Sequence, residues 1–174
     1  MPPTQRARKR LLLVDDEVIL VRVLTKVLED HYDLKTAATG RQAMAVCGEW
    51  APDIVVTNLN MPEVNGRELL VWLRRKHPTI PVLIITGMGG LETAAWALRE
   101  GAAGFMGKPF GVEHLLTAIP EAMKTTPEAI ERRESWAHSP YLVRLLSHLL
   151  TQTDSLSRRV DSLEKRLAKP EREG

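Results

Sequence analysis

The stretch Pro52-Asp53-Ile54-Val55-Val56-Thr57-Asn58-Leu59-Asn60-Met61-Pro62-Glu63-Val64-Asn65-Gly66 leaves the chain few ways to fold. Ile54 to Thr57 is short, apolar and β-branched, as a buried strand requires. Pro62, Asn65 and Gly66 follow in quick succession, so the strand gives way at once to a turn-rich loop. A strand apolar on both faces belongs in a parallel sheet with helices above and below it. In such sheets the carboxyl edge is where ligands bind. Asn58 is the residue at that edge.

The rest of the chain supplies the other strands. Leu11 to Val14 is a continuous apolar run ending in Asp15-Asp16-Glu17. Val18, Val21, Leu24, Val27 and Leu28 then recur at helical spacing. Asp33 to Ala38 predicts a weak strand. Gly40 opens a helix with Ala43, Val46 and Cys47 inward. Leu69, Leu70 and Leu73 mark a third helix, which His77-Pro78 stops. Val82 to Ile85 predicts a strand ending at Thr86, before Gly87-Met88-Gly89-Gly90. Glu92 to Glu100 predicts a helix closed by Gly101. Its spacing buries Ala94, Ala97 and Leu98 and leaves Trp96 on the polar side, near Glu92, Arg99 and Glu100, either as an exposed interface anchor or partly buried under the neighbouring helix. Gly104-Phe105-Met106 is a short fifth strand, followed by Lys108-Pro109, and a fifth helix starts near Val112. Five strands alternating with helices predict a doubly wound, five-stranded parallel α/β sheet.

Composition removes several classes. No apolar run approaches the ~20 residues a membrane span needs. The basic residues Arg6, Arg8, Lys9 and Arg10 precede only a short apolar run that ends in acids, unlike a signal peptide. They read as a solvated arm, with contact to an anionic partner as the other option. The single Cys47 permits no internal disulfide and reads as a buried filler, which fits a reducing, cytoplasmic setting.

Leu59, Met61-Pro62 and Gly66 after the third strand, with Asp15-Asp16, Thr86 and Lys108 at other strand ends, resemble the receiver domain of response regulators in two-component signalling. The resemblance covers residues 9 to 124 and implies the flavodoxin-like receiver fold. It implies a Mg²⁺ held by Asp15, Asp16, Asn58 and the backbone carbonyl of Asn60. Thr86 would offer a hydroxyl to a phosphoryl oxygen, and Lys108 an ammonium. Phe105 stands at the aromatic switch position, and Pro109 follows the lysine where the family often has a cis bond. A histidine kinase or phosphotransfer protein is the implied upstream partner. The fourth helix, fifth strand and fifth helix are the implied signalling face. Taken alone, Asp15-Asp16 equally suits a helix N-cap pair, Thr86 an ordinary strand end, and Lys108-Pro109 an ordinary turn.

One residue departs from the family pattern. The acceptor position holds Asn58 instead of aspartate, and an amide is a poor nucleophile. It is also a neutral ligand, so Mg²⁺ affinity should fall. Two explanations stand side by side: a phosphorelay receiver whose acceptor is blocked, naturally or by engineering, or a constitutive pseudo-receiver scaffold. No second set of catalytic residues is visible, so no enzyme is expected.

Past residue 124 the character changes. Pro120 and Pro127 interrupt the helical pattern, and residues 125–139 read as a helical linker. From Leu142 apolar residues alternate at spacings of four and three: Leu146, Leu149, Thr153, Leu156, Val160, Leu163, Leu167. This heptad pattern predicts a coiled-coil helix over 140–169, with 1–8 and 170–174 as flexible tails. Arg159 and Glu164 fall at g and e, where they could pair across a parallel dimer. No helix-turn-helix signal follows the receiver, so an output without DNA is expected.

The heptads generate a prediction. Each buried leucine contributes about 1.5–3 kcal/mol, against an association entropy of roughly 4–15 kcal/mol. Several per chain suffice for a homodimer through 142–167. Leu156→Asp buries an unpaired charge in the seam, and light scattering should then report monomers, as it should for a chain truncated after Lys124. A truncated receiver that stays dimeric at the same concentration removes the coiled coil as the assembly element.

Overall fold

Each strand among the described residues is only four or five residues long, so the sheet depends on having both its faces covered. The structure is a computed structural model that describes residues 8–87, 90–126 and 128. The chain divides into two units, residues 1–133 and 134–174. The expected coiled coil and C-terminal tail, and most of the linker, lie outside the described residues.

The elements run β1 Arg10–Val14, α1 Val18–Leu28, β2 Asp33–Ala37, α2 Gly40–Trp50, β3 Ile54–Asn58, α3 Gly66–Lys76, β4 Val82–Thr86, α4 Leu91–Arg99, β5 Gly104–Gly107 and α5 Val112–Met123. The five strands form one sheet in the order β2-β1-β3-β4-β5, with every neighbouring pair parallel. The expected doubly wound sheet is therefore present. Its strand order reverses direction between β1 and β3, which opens a crevice beyond the carboxyl ends of those two strands.

Strand alternation sorts the core. Leu11, Leu13, Ile54, Val56, Leu83 and Ile85 pack with Leu24 and Leu28 of α1 and Leu115 and Ile119 of α5. The intervening Leu12, Val14, Val55, Val82 and Ile84 are also buried, on the opposite face. Cys47 is buried on α2, and burial pushes its thiol up to about 11.

Two sequence expectations need correction, and one open alternative, the exposure of Trp96, is decided. Pro120 does not interrupt α5, which runs to Met123. A proline inside a helix removes one backbone hydrogen bond, but Ile119 and Ala122 on either side are buried and hold the helix to the sheet. Val18 belongs to the apolar spacing of α1 yet is 63% exposed, because the buried stripe is carried by Leu24 and Leu28. Trp96 is half-buried, with the Arg67 guanidinium 4.2 Å from its ring centroid.

The loop from Leu59 to Asn65 is clamped at Gly66. The Gly66 N–H donates to the Leu59 carbonyl at 2.9 Å. A Cβ on Gly66 would stand 2.7 Å from the Leu59 Cα and closer still to the Asn58 carbonyl oxygen, both rigid backbone. Asn65 then caps α3, accepting from the Glu68 N–H while the Glu68 carboxylate accepts from the Asn65 N–H. Gly66→Ala should therefore cost roughly 1–3 kcal/mol, read as a lower urea midpoint at unchanged m value. An unchanged midpoint would mean the loop yields freely.

Candidate functional site

The crevice at the switch point is lined by the tips of β1 and β3 and the loop after β5. Asp15 directly follows β1. Its N–H donates to the Ala37 carbonyl at 3.1 Å, extending the ladder, and its carboxylate is buried. Asp15 Oδ1 accepts from the Glu17 N–H at 3.0 Å. Lys108 Nζ lies 2.8 Å from Asp15 Oδ2 and 2.6 Å from Glu17 Oε1. The Lys108 N–H donates to the Thr86 carbonyl at 2.8 Å, and the Lys108–Pro109 bond is cis, as the resemblance implied. Burial by itself would lower the Lys108 pKa; hydrogen bonds and charge from Asp15 and Glu17 outweigh it and hold the ammonium above its ordinary value.

Asn58 is the last residue of β3 and is buried. Its Nδ2 lies 3.4 Å from Asp15 Oδ1, 3.3 Å from Asp16 Oδ1 and 3.1 Å from the Asn60 carbonyl. Its Oδ1 accepts from the Asn60 N–H at 3.3 Å. This network fixes which way the amide points. Turned over, the amide would set its oxygen against three acceptors and its NH₂ against a donor. The two amide hydrogens are shared among three oxygens, so the individual bonds are long.

The expected set is thus partly assembled. Asp15, Asp16, Asn58, the Asn60 carbonyl and Lys108 come together. Thr86, at the end of β4, is buried and meets the cluster through its backbone carbonyl. Phe105 is buried in β5 and packs into the core. The N-cap of α1 is Glu17, not Asp15 or Asp16, and its side chain makes no capping bond. Glu17 as the second partner of Lys108 escaped the sequence reading, although a third consecutive acid at a strand tip was the available signal.

The oxygens expected to hold Mg²⁺ do converge, but on the Asn58 amide nitrogen. A hard cation takes oxygen ligands, from carboxylates, carbonyls and water. Here an N–H₂ group stands among them with its partial positive charge. In this arrangement the amide offers the ion position its nitrogen; Oδ1 serves as a ligand only if the amide turns over and gives up its bond from the Asn60 N–H.

The sequence model of the response regulator receiver domain matches residues 11–120. The chain belongs to the response-regulator receiver family. It is 31% identical over 150 residues to the transcriptional regulatory protein GlrR of Escherichia coli K12, covering 83% of this chain and 34% of that protein. It is 36% identical over 130 residues to the C4-dicarboxylate transport transcriptional regulatory protein DctD of Pseudomonas aeruginosa, covering 73% of this chain and 28% of that one. The chain therefore spans about a third or less of these relatives. Among solved structures, the non-phosphorylated HemR receiver domain of Leptospira biflexa matches at 31% identity and a TM-score of 0.64, over 68% of this chain and 97% of that one. A CheY-like receiver protein of Methanospirillum hungatei matches at 26% and 0.64, over 73% and 99%. Receivers are signalling domains that take phosphoryl groups from histidine kinases or other donors and bind Mg²⁺ at the acidic pocket. Among the described residues no helix is long and apolar enough to cross a membrane.

The amide network makes a stability prediction. Asn58→Asp would place a third carboxylate beside Asp15 and Asp16 and remove the only N–H₂ donor among them. Without divalent cations the variant should lose roughly 1–3 kcal/mol, and Mg²⁺ should restore it by binding the folded state. The unsubstituted chain should melt at the same temperature with and without Mg²⁺. Equal Mg²⁺ stabilisation of both proteins would show that the amide nitrogen does not hold the cation position.

Proposed function

We propose that this receiver signals without forming an aspartyl phosphate, and that its pocket rests in one state without phosphoryl group or metal. The observation that carries this reading is the Asn58 Nδ2 seated among Asp15, Asp16 and the Asn60 carbonyl. The position lacks a nucleophile, and the amide already supplies the positive pole that the acids require. Asp15, Asp16, Asn58 and Asn60 then act as a structural knot. Lys108 anchors the loop after β5 instead of neutralising a phosphoryl oxygen. Thr86 and Phe105 keep their family positions without a phosphoryl group to answer.

Output in this reading is protein binding. One surface is the homodimer through residues 142–167, and another is the face of α4, β5 and α5. A kinase or phosphotransfer protein remains the natural neighbour. Val18, Ile19 and Val23 of α1 are 63%, 80% and 51% exposed, on the helix that Glu17 joins to the pocket. Apolar residues so exposed beside a pocket suit a docking partner. The matched region is 34% and 28% of the two transcriptional regulators compared above. No helix-turn-helix signal follows the receiver, so we assign output to protein contacts rather than DNA, and place the protein in the cytoplasm without enzymatic activity of its own.

A second reading has its own support. Lys108, Thr86 and both acids keep the positions of an active receiver, which suits a phosphorelay receiver blocked only at its acceptor. One experiment tests the first reading and separates the two. The chain and its Asn58→Asp variant are incubated with acetyl phosphate and Mg²⁺, then weighed by mass spectrometry. The unsubstituted chain should gain no phosphoryl mass, and a gain on any pocket carboxylate would sink the proposal. One added phosphoryl group on the variant identifies a blocked receiver; none identifies a scaffold.

A further inference from the structure

A shallow groove of about 590 Å³ runs over the outer surface of α3, between α2 and α4 and away from the pocket. Amphipathic spacing makes this the helix face that should be polar, since Leu69, Leu70 and Leu73 point into the core. It is not polar throughout. Val71 and Trp72 of α3, Met44 of α2 and Trp96 of α4 line it, each only partly buried. Both tryptophans are held in place. The Trp72 ring lies 5.1 Å from the His77 ring, and the Arg67 guanidinium lies 4.2 Å from Trp96. Aromatic anchors already fixed in position lose little freedom when a partner binds.

The rim has a sign. Arg67, Arg75 and Lys76 are exposed along the groove, against the single acid Glu68, whose carboxylate is already engaged by the Asn65 N–H. We propose that this groove binds an amphipathic helix of a partner protein, with an apolar stripe for Trp72, Val71 and Trp96 and acidic residues for the rim. The groove borders no sheet edge, and the α3 backbone is bonded within its own helix, so an added strand would find no partners. The 11 residues of α3 span about 16 Å, the length of a three-turn helix laid alongside. A nucleic acid fits less well, because the floor is apolar and Glu68 would face phosphate. The proposal is independent of whether the pocket can be phosphorylated.

The test is a display library of helical peptides panned on the full chain. Enriched sequences should share an apolar stripe flanked by Asp or Glu. Synthetic copies should shift the amide signals of Val71, Trp72 and Trp96. Binding should weaken by about tenfold or more for Trp72→Ser and for the double change Arg75→Glu, Lys76→Glu. The second variant alters only exposed side chains, so it keeps the test decisive if Trp72→Ser fails to fold. No enrichment, enrichment of basic peptides, or binding undiminished in the charge-reversed chain would overturn the proposal. So would a single-stranded DNA 20-mer that shifts the same amide signals more strongly than any peptide.

Discussion

A buried carboxylate has to be answered by positive charge or donors, and in this molecule that carboxylate is Asp15. Its position is dictated by the sheet. β1 is central and apolar on both faces, so the residue after Val14 emerges at the switch-point crevice with its backbone still paired to Ala37. Three groups answer the charge: the Glu17 N–H, the Lys108 ammonium and the Asn58 amide. They come from the turn into α1, the loop after β5 and the tip of β3. Segments up to 93 residues apart in sequence are thus tied at one point. Losing one of these donors would leave part of the carboxylate unanswered, which costs more than the bond itself.

Asn58 changes the character of that knot more than the loss of a nucleophile suggests. An aspartate there would add negative charge to a cluster already acidic and would demand a cation. The amide differs by one heavy atom yet reverses the polarity of the group facing Asp15 and Asp16. On the proposed reading, a pocket that would demand a cation becomes one whose acids are answered from within. Reading Asn58 only as a weakened metal ligand captures the lost charge but not this reversal. The reversal depends on which end of the amide faces the acids, and the Asn60 N–H decides that.

The legible parts of the fold were those set by short-range pattern. The apolar runs at Leu11–Val14, Ile54–Thr57 and Val82–Ile85 are strands within a residue of where periodicity places them. The close at Gly101, with φ of 91°, follows from its freedom to be left-handed. Tertiary packing decided the rest. Local rules end a helix before Pro120, but burial of Ile119 and Ala122 outweighs one missing backbone bond. A helical wheel sets Trp96 among charged residues, and it cannot show that Arg67 of another helix covers the ring. In the site, sequence order put Asp15, Asp16, Asn58, Asn60 and Lys108 at strand ends, which was enough to bring them together. Glu17 was missed because its role depends on how Lys108 folds back, a contact across 91 residues.

The loop from Leu59 to Asn65 joins the pocket to the groove on α3, and it has little room to move. Asn60 bonds Asn58 through both its carbonyl and its N–H. Glu63 is held at a φ of 63°, unusual for a residue with a Cβ. The Val64 carbonyl accepts from the Gly40 N–H at 2.9 Å, where any added Cβ would strike the same carbonyl. Here the amide holds its pocket end and the two glycine contacts hold the rest. On the proposed reading, then, the groove keeps one shape at all times. Its occupancy depends on the concentration of its partner, and the regulation that phosphorylation supplies elsewhere in the family passes to whatever controls that partner.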